Sequence, residues 1–175
     1  MHRYKILFIG APGAGKTTAI AAISDVPPLC TDVPSSEEDR NTTVALDMGE
    51  VGLDDGVRVG VYGLPGQARF NFLWRILAPG TIGVALLLDA RDAVSAPCVG
   101  WLVAQYRKHL PDTALLLGVT HLDRPGATPL AAFRQFAAAQ GLDAPVVALD
   151  ARDNGQVRLA VRVLIARIEA QALLP

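Results

Sequence analysis

The chain has 175 residues, 51% of them hydrophobic and 19% charged, with a formal net charge of −1. That length suits one domain with a sizeable core, and the apolar content excludes a disordered chain. A near-neutral balance without a basic block argues against nucleic acid or an anionic membrane as the main partner, and so few charges leave apolar surface for a protein partner.

Tyr4 to Ile9 is a compact, mostly apolar run ending at Gly10, and Thr17 to Ser24 reads as a helix. Cys30 to Arg40 is polar, with Pro27, Pro28 and Pro34 in or near it, and reads as a loop. Val44 to Leu53 and Val57 to Tyr62 are strand-like and flank Asp54-Asp55-Gly56, a hairpin signal that predicts antiparallel pairing. Ala68 to Ala78 reads as a helix stopped by Pro79-Gly80, and Ile82 to Leu88 as a strand buried on both faces. Ser95 to His109 is helical, Thr113 to Thr120 a second buried strand, and Leu130 to Gln140 a helix capped by Gly141. Pro145 to Leu149 is the last strand, and Asn154 to Leu173 is a terminal helix with apolar residues near a 3.6 period. The order predicts one α/β domain over 1–175: a mostly parallel six-stranded sheet, one antiparallel edge strand, and helices on both faces.

The strongest motif is Gly10-Ala11-Pro12-Gly13-Ala14-Gly15-Lys16-Thr17, which matches G-x-x-x-x-G-K-[ST] in full and lies between a buried strand and a helix. It predicts a P-loop NTPase. Gly10, Gly13, Ala14 and Gly15 let the backbone wrap phosphates, and the helix start at Lys16, Thr17 and Thr18 adds favourable potential. Lys16 supplies a point charge to the β- and γ-phosphates, and the Thr17 hydroxyl is a Mg²⁺ ligand. The motif alone leaves kinases, ATPases and GTPases open. A small kinase needs an Arg-rich lid, whereas the stretch after Thr120 is short and bears Pro and Gly.

Three further stretches narrow the choice by resemblance. Tyr62-Gly63-Leu64-Pro65-Gly66-Gln67 follows the hairpin and resembles the Asp-x-x-Gly-Gln stretch of small GTPases. The resemblance implies that the Gly66 N–H contacts the γ-phosphate and that Gln67 orients the attacking water. Gly63 stands where those proteins carry the aspartate that holds Mg²⁺ through a water. Thr120-His121-Leu122-Asp123 resembles their Asn-Lys-x-Asp base motif. Asp123 would accept from guanine N1 and its exocyclic amine, a donor pair adenine lacks. Thr120 would bond across to the phosphate loop, and His121 would stack over the base. Asp150-Ala151-Arg152 resembles the Ser-Ala-x loop, which puts the Ala151 N–H on guanine O6 with Arg152 beside it.

Asn41-Thr42-Thr43-Val44-Ala45-Leu46-Asp47 resembles the first switch of Arf-like members, with Thr43, or else Thr42, sensing the γ-phosphate and binding Mg²⁺. Arg40 stands three residues before Thr43, a spacing similar to the Arg-x-x-Thr of Gα proteins, which implies a charge for the transition state of phosphoryl transfer. The ordered set resembles a group of prokaryotic Ras/Arf-like GTPases often found with roadblock-type partner proteins. It implies a switch that binds GTP or GDP with Mg²⁺, hydrolyses GTP slowly, and meets a regulatory protein through residues 35–47 and 66–76. A non-catalytic nucleotide-binding adaptor of a signalling complex is the alternative, since Gly63 would make a poor hydrolase.

Cys30 and Cys98 show no close pairing, which fits a reduced cytosol and ordinary thiols. No signal peptide, membrane-length apolar run or lipidation motif is visible, so a cytoplasmic protein without its own membrane anchor is expected. Phe70, Leu73, Trp74 and Leu77 form a core stripe, with Phe72 off it as a candidate partner contact. Trp101 reads as packing, and His109 as a cation for the end of its helix.

Overall fold

Seven strands form one sheet in the order β2-β3-β4-β1-β5-β6-β7 in the computed structural model, which describes residues 4–34, 43–53 and 56–173. The strands are β1 (Tyr4–Gly10), β2 (Leu29–Pro34), β3 (Thr43–Gly52), β4 (Arg58–Pro65), β5 (Gly83–Asp89), β6 (Ala114–Thr120) and β7 (Val146–Ala148). The helices are α1 (Lys16–Ile23), α2 (Phe72–Leu77), α3 (Pro97–His109), α4 (Leu130–Ala139) and α5 (Asn154–Ala172). β1 pairs in parallel with β4 and β5, and β5, β6 and β7 continue in parallel; β3 alone runs against its neighbours.

The mostly parallel α/β sheet with a single antiparallel strand is therefore the fold the sequence predicts, with one addition. The first part of the stretch from Cys30 to Arg40, read as a loop, lies instead in a strand, Leu29–Pro34, that pairs with β3 from Leu29↔Met48 to Pro34↔Thr43. It takes the edge, so the antiparallel strand lies one place in. An edge strand tolerates a proline because one row of its backbone groups needs no partner, and Pro34 sits at its end.

Alternation along β1 divides the core. Leu7 and Ile9 join a cluster with Leu64, Trp74, Leu86, Leu102 and Phe133 under α2, α3 and α4. Ile6 and Phe8 join Ile20, Ile23, Val157 and Leu164 under α1 and α5. Ile6, Leu7, Phe8 and Ile9 are all fully buried, and each such side chain contributes about 1.5–3 kcal/mol relative to exposure. This is why the central strand reads as an unbroken apolar run.

The hairpin forms as expected: Leu53 N–H donates to Val57 O at 2.8 Å and Gly56, at φ +78°, to Leu53 O at 3.0 Å. Asp54 and Asp55 lie outside the described residues. Pairing with β1 carries β4 beyond Tyr62 to Pro65, with Phe8↔Gly63 and Gly10↔Pro65, so Gly63 is inside the sheet rather than in a turn. Ala68 to Ala78 divides into a 3-10 turn over Ala68–Phe70 and α2. Phe70, Leu73, Trp74 and Leu77 are buried as the stripe predicts, and Phe72 and Trp101 pack half-buried on the same cluster. His109 stacks on Trp74 at 5.7 Å between ring centroids. Burial, with Lys108 and Arg75 nearby, pushes the His109 pKa down, which favours a neutral packing ring over the cation expected at the helix end. Among the described residues no helix is long and apolar enough to cross a membrane.

Candidate functional site

β1 ends between β4 and β5, so the loop after Gly10 emerges at the middle of the carboxyl edge of the sheet. Gly13 and Gly15 adopt φ of +79° and +98°, a region that side chains resist. At Gly15 a Cβ would also lie 2.9 Å from the Ala151 Cβ. The loop thus turns sharply and touches the chain after β7. Lys16 Nζ bonds the Gly10 and Ala11 carbonyls at 2.8 and 2.9 Å, which arches the lysine over the loop. Burial lowers its pKa, and the charge of Asp47 opposes that shift.

Thr17 is exposed, and its hydroxyl donates to Asp47 Oδ2 at 2.5 Å. Asp47 lies on β3, and it stands beside Gly63 of β4. A Cβ built on Gly63 would sit 3.2 Å from the Asp47 Cβ and 3.3 Å from Asp47 Oδ2. The Asp47 carboxylate therefore fills the space a side chain at position 63 would enter. Read from the sequence, Asp47 closes the motif over 41–47 and is not among the expected metal ligands. The signal was the neighbouring strand, since Met48↔Tyr62 pairing brings Asp47 next to Gly63. Thr43 opens β3; Arg40 and Thr42 lie outside the described residues. Among the described residues no three His, Cys, Asp or Glu side chains cluster as a metal site. A hydroxyl and one carboxylate suit Mg²⁺, which keeps waters and takes its other oxygens from substrate phosphates.

Gly66 is docked on the phosphate loop. Its N–H donates to Gly10 O at 2.9 Å, and a Cβ there would lie 2.7 Å from both Gly10 O and Leu102 Cδ2. The N–H assigned to the γ-phosphate thus already has a loop partner. Gln67 is half-buried, and its Oε1 accepts from Arg69 Nε at 3.0 Å.

At the other end a cavity of about 360 Å³ is lined by Gly15, Thr18, Thr120, His121, Asp123 and Arg152, among others. Thr120 is 1% exposed, and its hydroxyl donates to Ala14 O at 3.0 Å, the cross-link to the phosphate loop expected of it. His121 has φ +58° and lies with Nδ1 3.1 Å from Thr120 Oγ1 and 3.3 Å from Asp89 Oδ1. Burial alone would raise the Asp89 carboxyl, but hydrogen bonds from Arg91 and the nearby His121 outweigh it and hold it below the usual range. Asp123 is largely exposed, 3.5 Å from Arg152 Nη2. Arg152 is clamped by Asp150 through Nε at 2.8 Å and Nη2 at 2.7 Å, and these hydrogen bonds hold the Asp150 carboxyl at about 2. Gln156 closes the loop by accepting the Asp150 N–H at 2.9 Å, and buried Ala151 presses on Gly15.

The folded chain therefore brings together Gly10, Gly13, Ala14, Gly15, Lys16, Thr17 and Thr18 with Gly66, Thr120, His121, Asp123, Ala151 and Arg152 along one edge of the sheet. Gln67 stands at that edge, turned to Arg69. No protein-family model matches the chain. Over 91 residues, 52% of this chain and 54% of the relative, it is 29% identical to an uncharacterized protein, MJ1339, of Methanocaldococcus jannaschii. The chain thus spans about half the length of that relative.

Proposed function

We propose that the chain binds a guanine nucleotide with Mg²⁺ along this edge and turns over GTP slowly, as a cytoplasmic switch. One observation carries the reading: the phosphate loop and Asp123 open on the same cavity, joined through the Thr120 bond to Ala14. Phosphates would lie on the loop N–H groups and Lys16, with the base between Thr120-His121 and Ala151. Asp123, exposed to the cavity, would take the guanine N1 and amine donors, which is the source of the preference over adenine. Mg²⁺, when bound, neutralises charge on the phosphates. Thr17, with Asp47 behind it, would hold it here, and Thr43 would complete the set.

For hydrolysis Gln67 must leave Arg69 to orient water, and Gly66 must release Gly10 to reach a γ-phosphate. Both are changes in residues 66–76, which fits a surface whose shape depends on the nucleotide. We assign the docking of a regulatory protein, of the roadblock type or another, to that segment and to residues 35–47. The Arg69 bond to Gln67 favours a second reading, a non-catalytic adaptor that binds nucleotide without hydrolysing it.

Competition between GTP and ATP for the purified chain with Mg²⁺ tests the first claim: GTP should win by at least about tenfold, and equal competition removes the guanine assignment. Single-turnover hydrolysis then separates switch from adaptor. Partner affinity that is the same in the GDP and GTP states would end the switch reading, because a ligand shifts only an equilibrium in which it has differential affinity.

A further inference from the structure

Asp89 and Thr120 close β5 and β6 and face one another in the sheet register, so whatever stands on one strand end is within reach of the other. Asp89 is 7% exposed, a costly place for a carboxylate unless it is paired. Its main partner is Arg91, whose Nε bonds Oδ1 and Oδ2 at 2.9 and 3.0 Å and whose Nη2 bonds Oδ2 at 2.5 Å. The Arg91 backbone N–H adds a fourth bond, to Oδ1 at 2.9 Å. The same Nη2 then donates to the Gly13 carbonyl at 3.2 Å, across 78 positions of sequence, while half of the side chain stays exposed.

We infer that Arg91, braced by Asp89, is a positioning residue for the phosphates of the bound nucleotide: it holds the phosphate loop from outside in the shape that aims its N–H groups inward. A trans peptide points its carbonyl and its N–H in opposite directions. With the Gly13 carbonyl turned out to Arg91, the Ala14 N–H turns into the loop, where Ala11 O accepts it at 3.1 Å. With the next carbonyl, Ala14 O, turned out to Thr120, the Gly15 N–H turns in as well. Two consecutive peptides of a loop rich in glycine, and so poorly constrained by itself, are fixed from β5 and β6. The guanidinium is suited to this because its planar fork engages Asp89 and Gly13 at once. Its rigidity comes from the buried carboxylate, so the strut costs little further ordering when a nucleotide arrives.

This inference rests on the nucleotide reading, and one experiment separates their fates. The full chain is loaded with fluorescent GDP, and its release into excess unlabelled GDP is timed for wild type, Arg91→Ala and Arg91→Lys; the preference for GDP over IDP is measured alongside. IDP lacks the exocyclic amine that Asp123 would read, so that preference reports the base and not the phosphates. Arg91→Ala should release GDP about tenfold faster or more, the loss expected of a charge-assisted bond, with the GDP-over-IDP preference within about twofold of wild type. Arg91→Lys, a point charge that cannot span both partners, should fall between. Should Arg91→Ala fail to give a cooperative melt, the lysine variant decides, since it keeps the charge beside Asp89. Wild-type release rates in the folded variants, or a change confined to the GDP-over-IDP preference, overturn the strut. A wild-type chain that holds no GDP overturns the nucleotide reading and the strut with it.

Discussion

At the end of the groove where the proposed reading puts phosphates, an exposed threonine, Thr17, meets a half-buried carboxylate from β3; at the end where it puts the base, a buried threonine, Thr120, stands beside a buried carboxylate from β5. Both ends depart from the motifs they resemble, at Gly63 and at Thr120-His121. In both, the neighbouring strand brings a carboxylate to the gap: Asp47 beside Gly63, and Asp89 beside His121. The difference lies in the surroundings. Asp89 is enclosed and hydrogen-bonded on several sides, which makes that end part of the framework. Thr17 is exposed and Asp47 only half-buried, so a metal ion held on the proposed reading would have access to them. Cross-strand neighbours are the unit in which a sheet exchanges chemistry, and a motif broken along the chain can be whole across it. On the proposed reading, the phosphate end should then answer to metal and the base end to the identity of the base.

The largest effect should come from Lys16→Ala. It removes the charge that the proposed reading puts on the phosphates, together with two bonds that shape the loop, and GDP affinity should fall by about a hundredfold, the upper end for a charge-assisted contact of about 1.5–3 kcal/mol. Titration calorimetry with GDP and Mg²⁺ checks it, and a smaller loss would mean that the loop N–H groups alone hold the phosphates. Next is Asp123→Ala, which should cut the preference for GTP over ATP by about 1–3 kcal/mol while leaving Mg²⁺ dependence unchanged. If metal dependence moved with it, the two ends would not be separable.

The comparison is sharpened by exchanging the carboxylate. Asp47→Ala should raise the Mg²⁺ concentration needed for half-maximal GTP retention by about tenfold. Gly63→Asp in the same chain should restore part of the loss, because the new side chain enters the space Asp47 has left. Gly63 has no positive φ to forbid it, and the tight neighbours are the Asp47 Cβ and the tip of Ile20 at 3.2 Å. Gly63→Asp alone should lower the melting temperature, since it sets two carboxylates side by side. Failure of the double variant to recover Mg²⁺ dependence would show that Asp47 serves Thr17 only as a hydrogen-bond partner.

Residues contiguous in the chain were legible in advance. The phosphate loop carries its glycines, lysine and threonine within eight positions, and its strand and helix context follows from apolar periodicity alone. Thr120's bond to the loop was expected from the resemblance of Thr120-His121-Leu122-Asp123 to the Asn-Lys-x-Asp motif, another contiguous stretch, and the structure forms it. Asp47 and Arg91 were not, because their roles depend on which strands are adjacent and in what register, and hydropathy does not report register. β2 was missed because two prolines before it and one at its end mask a short run that only an edge can use. The docking of Gly66 on Gly10 O was hidden in the same way, since a glycine in a turn and a glycine under close approach read alike.

The smallest effect concerns the Asp150–Arg152 pair, and it tests whether the base end is framework throughout. The pair is exposed, so Arg152→Ala should change the melting temperature by about 2 °C or less, as expected for a surface ion pair in a domain of this size. Its local effect should still be plain. Hydrogen bonds from Arg152, first through the side chain and then through the backbone, hold the Asp150 carboxyl at about 2. A carboxyl depressed in the folded state stabilises above its unfolded value, and that contribution is lost only as pH falls through the folded one. The wild-type loop should therefore keep its pairing down through the ordinary carboxylate range and open near pH 2. In Arg152→Ala the side-chain bonds are gone, and the carboxyl titration followed by NMR should rise toward the unperturbed aspartate value of about 3.9, with the backbone N–H of residue 152 retaining part of the depression. Because Asp123 is only 3.5 Å from the same guanidinium, the variant should also expose Asp123 more fully and leave the preference for guanine intact. A loss of that preference in Arg152→Ala would move base recognition from Asp123 alone to the Asp123–Arg152 pair at the exposed rim of the cavity.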